Sequence, residues 1–190
     1  MLELVLGLVL FLGIHSVSIV ARAGRDAAVQ RLGKGAWQGL YSVVALVGLL
    51  LVIRGYASAR LSPDVLWVTP TALRHVAGLL LLPVFPCLLA AYLPGSLRTR
   101  LKHPMLVAVK AWALAHLLVV GTLAGTLLFG SVLAWAVIDR ISLKRRPPQA
   151  TPALPASSWN DALAIAGGLA LYVFMVLKGH LLLIGVAPFG

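Results

Sequence analysis

Long apolar stretches alternate along this chain with short polar ones. The apolar runs occupy about residues 2–21, 36–54, 71–92, 105–120, 123–138 and 160–183, each set off by a polar or Pro/Gly-containing loop. A run of about 20 apolar residues, wound as a helix, is long enough to cross a hydrocarbon core of roughly 30 Å. The stretch from Met105 to Ile138 is too long for one comfortable span, and Gly121-Thr122 predicts a tight turn that divides it in two. The pattern therefore predicts an all-α, polytopic transmembrane helical bundle of about six spans, a single integral-membrane domain over residues 1–190.

Smaller features refine that picture. Pro83 and Pro86 predict a kink in the third span. Gly121 with Gly125, and the run Ala162, Ala166 and Ala170, predict close approach of helix backbones, the usual way membrane helices associate. Trp37, Trp67, Trp135 and Trp159 fall near predicted helix ends and read as interface anchors. Cys87, the only cysteine, lies in an apolar span and reads as packing, and a lone cysteine excludes an intrachain disulfide or a CxxC pair. Residues 139–159 read as a loop, with prolines at 147, 148, 152 and 155.

Composition agrees with a lipid solvent: 61% of residues are hydrophobic and 11% charged, and the mean hydropathy is +0.99. The net charge of +11 would raise nucleic acid as a partner in a soluble chain. Here the basic residues sit in short loops. Arg22, Arg25, Arg31 and Lys34 lie in the first, Arg98, Arg100 and Lys102 in the third, and Arg140, Lys144, Arg145 and Arg146 in the fifth. With six spans these loops share one side, which the positive-inside rule makes cytoplasmic, and both termini are then periplasmic in a bacterial inner membrane. Nucleic acid is set aside, and the partners expected are the lipid bilayer and an apolar small molecule. The first run, which carries Glu3 and no basic residue at its start and has its positive charges after it, has the wrong order for a cleaved signal peptide and reads as a retained helix.

Ionisable residues inside a span are costly and therefore candidates for function. His15 and His116 lie well inside the first and fourth apolar runs. A lone membrane histidine is ordinarily a ring bonded to a helix carbonyl. Arg22, however, follows His15 by seven residues with Ser18 between, so an unbroken helix would put a cation on the same stripe. Neutral imidazole is also a common axial ligand of haem iron, and helical bundles often place cofactors between histidines of facing helices, which makes His116 the natural partner. Depth argues against that pairing, since the predicted boundaries put His15 to the cytoplasmic side of centre and His116 to the other. Lys110 reads as a snorkelling side chain, His103 as a cap before Pro104, and His75, Lys178 and His180 as residues near span ends. GxSxG, HExxH and P-loop patterns are missing, and only five carboxylates occur in all. Redox chemistry, isomerisation of a lipid-soluble molecule, or a non-catalytic role remain.

Several blocks resemble the NnrU family of bacterial membrane proteins: Gly13-Ile14-His15-Ser16, Trp37-Gln38-Gly39-Leu40-Tyr41-Ser42, Arg74-His75, Pro94-Gly95, Lys102-His103-Pro104-Met105-Leu106, Trp112-Ala113-Leu114-Ala115-His116-Leu117-Leu118 and Leu133-Ala134-Trp135-Ala136. The two histidine blocks, His103-Pro104 and Ala115-His116 thirteen residues later, are the specific part. The resemblance implies a role connected with nitrite and nitric oxide metabolism in denitrifying bacteria. It also implies kinship with 15-cis-zeta-carotene isomerase, a membrane enzyme that uses haem b, whose motif histidines match His15 and His116. That enzyme's candidate cysteine ligand corresponds to Ala113 here, so a thiolate switch does not carry over. Val120-Gly121-Thr122 likewise stands where the family pattern has Asn-Gly-Asp.

The reading this supports is a membrane protein that binds haem b, with His15 and His116 as metal ligands and Arg22 or Lys110 as partners of the haem carboxylates. It would act in redox-gated isomerisation or electron transfer. A rival of another class is a cofactor-free accessory protein that supports assembly of denitrification enzymes. A transporter is disfavoured because no internal repeat is visible.

Overall fold

The computed structural model describes residues 1–146 and 153–189, so the prolines at 147, 148 and 152 lie outside the described residues. The chain is all-α and polytopic. Its helices are α1 (Leu2–Val20), α2 (Arg22–Leu32), α3 (Lys34–Ala59), α4 (Thr71–Leu81), α5 (Val84–Ala90), α6 (Ser96–Leu101), α7 (Pro104–Val119), α8 (Leu123–Leu143), α9 (Asn160–Phe174) and α10 (His180–Ile184), with a π-helical turn at Met175–Gly179 joining the last two. Among the described residues, five stretches are long and apolar enough to cross a membrane: Leu2–Val20, Lys34–Ala59, Thr71–Ala90, Leu123–Leu143 and Asn160–Ile184. The sixth apolar helix, α7, has 16 residues, about 24 Å at 1.5 Å per residue. Many large apolar side chains point outward, Leu79, Leu177 and Leu182 among them, as suits helices solvated by lipid.

The helices gather into two compact units, each drawn from two stretches of chain: Met1–Trp67 with Gly121–Lys144, and Val68–Val120 with Arg145–Gly190. In the first, α1 packs on α3 through glycines. A methyl group added at Gly7 would stand 2.5 Å from the Val52 amide nitrogen, and one at Gly48 2.7 Å from that of Phe11, so these backbones meet without intervening side chains. Leu4 is fully buried beside Gly55 at the same face. The loop after α3 folds onto the start of α8: Leu66 and Trp67 donate to the Gly121 carbonyl at 2.8 and 3.1 Å, and Leu123 donates to Asp64 at 2.9 Å. Gly121 therefore serves a turn against the Trp67 carbonyl and not helix–helix packing, which corrects the sequence expectation.

In the second unit the break between α4 and α5 falls at Leu82-Pro83, as the prolines predict. Cys87 is buried with Val84 and Ala108 and serves packing. α9 meets α5 where Gly168 lies against the Pro86 backbone. Its buried face is Asn160, Ala164 and Gly168, whereas Ala162, Ala166 and Ala170 face outward. Their spacing was right and their face was wrong by about half a turn. Asn160 donates to the carbonyls of Pro94 at 2.8 Å and Pro155 at 3.1 Å. The Asp161 carboxylate accepts from the Ser96 and Leu97 amides at 2.8 and 3.0 Å. Asp161 thus supplies the acceptors that the first turn of α6 needs, and Asn160 ties together the loops before α6 and α9.

Candidate functional site

In the first unit, α1 stops at Val20 and the chain bends at Ala21 (φ −132°, ψ 43°) before starting α2. The stripe that sequence reading ran from His15 to Arg22 is therefore broken. Arg22 heads a separate, polar helix without a buried residue and pairs with Asp26 at 3.7 Å, while Arg25 meets the same carboxylate at 2.9 Å. A cleft of about 350 Å³ opens beside it, lined by Ser18, Arg25, Lys34, Trp37, Gln38 and Tyr41 among others. The cations at this cleft are Arg25 and Lys34.

Tyr41 links that cleft to His15, since their ring centroids are 5.4 Å apart. Phe11, at 4.3 Å, and Trp135, at 5.8 Å and edge-on, complete an aromatic surround. His15 Nδ1 lies 2.6 Å from the Phe11 carbonyl oxygen one turn back. A carbonyl can only accept, so Nδ1 carries the hydrogen. Beside it the Trp135 indole nitrogen is buried without a hydrogen-bond partner. Trp135 lies well inside α8 because that helix continues to Leu143. It is a packing residue of the histidine and not the interface anchor expected from a helix ending at 138.

In the second unit, His116 Nδ1 lies 2.8 Å from the Trp112 carbonyl, again one turn back, and the Trp112 ring packs on the imidazole at 5.1 Å. Here too Nδ1 carries the hydrogen. Lys110 is half-buried on α7. Six residues separate it from His116, which puts the two side chains roughly 120° apart around the helix. Ala113 is fully buried. His180 stands beside His116, with ring centroids 6.3 Å apart and planes within 22° of parallel. Sequence reading passed over His180 as a residue near a span end. His75 packs instead on Phe189 at 5.9 Å, and His103 precedes Pro104 at the start of α7.

His15 belongs to the first unit and His116 to the second. Among the described residues no group of three or more His, Cys, Asp or Glu side chains comes together. The donor sets are single imidazoles or a pair, each pinned through Nδ1. A backbone acceptor on that nitrogen fixes ring orientation and makes Nε2 more basic, as at metal-ligating histidines in general. Two imidazoles at most do not fill the tetrahedral shell of a structural zinc site. They suit haem iron, which brings four nitrogens of its own.

Fold and site together define an all-α polytopic membrane protein with carbonyl-anchored imidazoles set among apolar helices. The profile of the NnrU protein family matches residues 3–188, nearly the whole chain, and the protein belongs to that family. A search of curated proteins and a search of solved structures each returned no match.

Proposed function

We propose that this NnrU family member binds haem b through intramembrane imidazoles, with His15 and His116 as axial ligands, and acts in electron transfer or redox-gated isomerisation of an apolar molecule, in the setting of nitrite and nitric oxide metabolism. The observation that carries the reading is the shared pinning of His15 and His116 Nδ1 on helix carbonyls at 2.6 and 2.8 Å. It fixes each ring's orientation and leaves Nε2 as the nitrogen through which the neutral form would ligate iron. Bound haem would supply an iron that changes redox state. The protein's part is to hold the rings, exclude water, and offer cations to the haem carboxylates. Arg25 and Lys34 line the first unit's cleft and Arg22 does not, so they suit that last role better, Lys34 most directly because both arginines meet Asp26.

The same reading places the chain in the bacterial inner membrane with both termini periplasmic. α7 is short, but the charges favour its crossing. If it crosses, the basic segments 98–102 and 140–146 lie on the side of 22–34; if it does not, the last cluster is stranded opposite the others, against the positive-inside bias. With Cys87→Ala as background, Ala156→Cys should react with a membrane-impermeant maleimide in inverted vesicles only, and Ser62→Cys in spheroplasts only. Labelling of both from one side would overturn the six-crossing arrangement.

Haem binding is tested by oxidised and dithionite-reduced spectra of the detergent-purified protein, with a pyridine haemochrome assay for stoichiometry. The expected result is haem b in the wild type and a fall in haem content in His15→Ala and in His116→Ala. A wild type that stays colourless after reconstitution with hemin would favour the cofactor-free accessory role.

A further inference from the structure

The block Lys102-His103-Pro104 has no task in haem binding, and its backbone is unusual. Proline disfavours the helical conformation in the residue before it, and His103 lies outside the helical region at φ −135°, ψ 65°. Because α6 ends at Leu101 and α7 starts at Pro104, Lys102 and His103 must turn the chain. Lys102 does so at φ 61°, ψ −43°, the one non-glycine residue with positive φ among the described residues. The His103 amide donates across it to the Leu101 carbonyl at 2.7 Å. A bond spanning one residue at such angles makes the rare, strained form of γ-turn. Glycine would take the turn without steric cost. What lysine adds is an ammonium tethered at that point.

The side chain borders an open pocket of about 470 Å³, lined by Pro94, Gly95, Arg98, Thr99, Lys102 and His103. Arg98 and Lys102 are four residues apart, and the Lys102 amide donates to the Arg98 carbonyl at 2.9 Å, so a helical turn sets both cations at one face. Among the described residues the Lys102 ammonium makes no hydrogen bond or ion pair. No carboxylate lines the pocket. Of the chain's five acidic residues, Glu3, Asp26, Asp64 and Asp139 belong to the first unit and Asp161 alone to the second. Asp161 is occupied by the Ser96 and Leu97 amides and interacts electrostatically with Arg100. The negative charge that would balance this pocket within the second unit therefore has to come from outside the chain.

The pocket lies in the short connection between two apolar helices, α5 ending at Ala90 and α7 starting at Pro104. That is the level at which a bilayer passes from hydrocarbon to headgroups, and the exposed Tyr92 suits it. The anion supplied there in bulk is the phosphodiester of a phospholipid, and an anionic headgroup, unlike a zwitterionic one, brings no cation of its own. We infer that Arg98 and Lys102 bind the phosphodiester of an anionic phospholipid in this pocket. Haem plays no part in this binding.

The test uses the full chain, purified in detergent and freed of co-purifying lipid. Phosphatidylglycerol and phosphatidylcholine with the same acyl chains are titrated separately, and lipids bound per chain are counted by native mass spectrometry. Inorganic phosphate is titrated in parallel by calorimetry. Wild type is compared with Arg98→Gln, Lys102→Gly and Arg100→Gln, the last removing an equal charge from the same segment outside the pocket lining. Glycine accepts the Lys102 backbone angles, so Lys102→Gly should unfold in denaturant no earlier than wild type. The expected result is phosphatidylglycerol bound more tightly than phosphatidylcholine, about fivefold more weakly in Arg98→Gln and in Lys102→Gly, and unchanged in Arg100→Gln. An equal loss in Arg100→Gln would reduce the effect to diffuse attraction by a basic segment and overturn the pocket. No preference for phosphatidylglycerol would overturn it as well. Inorganic phosphate binding as tightly as phosphatidylglycerol, with the same dependence on Arg98 and Lys102, would assign the pocket to a soluble phosphate and overturn the lipid as its occupant.

Discussion

The two compact units treat an intramembrane imidazole in different ways. In the first, His15 stands alone among Phe11, Tyr41 and Trp135, with an unpartnered indole nitrogen close by. In the second, His116 has a second imidazole, His180, at its side. The anchoring is common to all three rings, one Nδ1–H bond to a carbonyl. Anchoring fixes the orientation of each ring, and the neighbours differ. The first unit sets one imidazole in an aromatic wall, and the second sets two side by side. They also cohere differently, the first through a series of bare glycine backbones and the second through one such contact, Gly168 on Pro86, together with side-chain hydrogen bonds to loop carbonyls.

The largest effect expected from that contrast is at Gly48. An added methyl would meet backbone atoms of Phe11 at 2.7 and 3.0 Å, which no rotamer change relieves. Gly48→Ala should cost about 3 kcal/mol, read as unfolding of the detergent-solubilised protein by denaturant, and it displaces α1, which carries His15. A variant as stable as wild type would show that the backbones do not meet there. In the second unit the corresponding probe is Asn160, 4% exposed and bonded to two loop carbonyls. Asn160→Ala leaves those acceptors short of a donor and should cost about 2 kcal/mol in the same measurement.

A smaller effect sharpens the ligand contrast itself. His15→Asn should weaken hemin binding about tenfold, or 1.4 kcal/mol, and less than His116→Asn does, because the second unit then keeps both imidazoles. Equal losses in the two variants would mean that the units contribute alike, and the distinction drawn between them would fail.

What sequence made visible follows from the range of the interactions involved. The apolar runs, the breaks at Pro83 and Gly121 and the packing role of Cys87 depend on local composition, and all were legible. The α2 helix was read as a loop because a short polar stretch between two apolar runs carries no hydropathy signal; its ending at Gly33, with φ +83°, is the cue that such a reading passes over. The contact face of Gly7, Gly48 and Gly55 is shared between two helices, so no single spacing announces it. His180 was missed because its position depends on a π turn that shifts the helical register, and period counting assumes a regular helix. Asn160 and Asp161 act on residues 94–97, a contact some 65 positions distant.

The smallest effect concerns Trp135 and separates two accounts of the first unit. Its buried N–H has no acceptor, and an unsatisfied donor of that kind costs about 1–3 kcal/mol. Trp135→Phe removes the donor and also removes ring volume, a loss of packing of similar size and opposite sign. In the ligand-free protein the two should nearly cancel, leaving a change below about 1 kcal/mol in denaturant unfolding. In the hemin-loaded protein the balance differs if a ligand beside His15 accepts from that nitrogen, because the substitution then also removes a hydrogen bond. A Trp135→Phe variant that is neutral without hemin but binds it more weakly would mark the indole as part of the His15 site. Neutrality in both states would leave His15 as a ligand whose aromatic wall contributes shape alone.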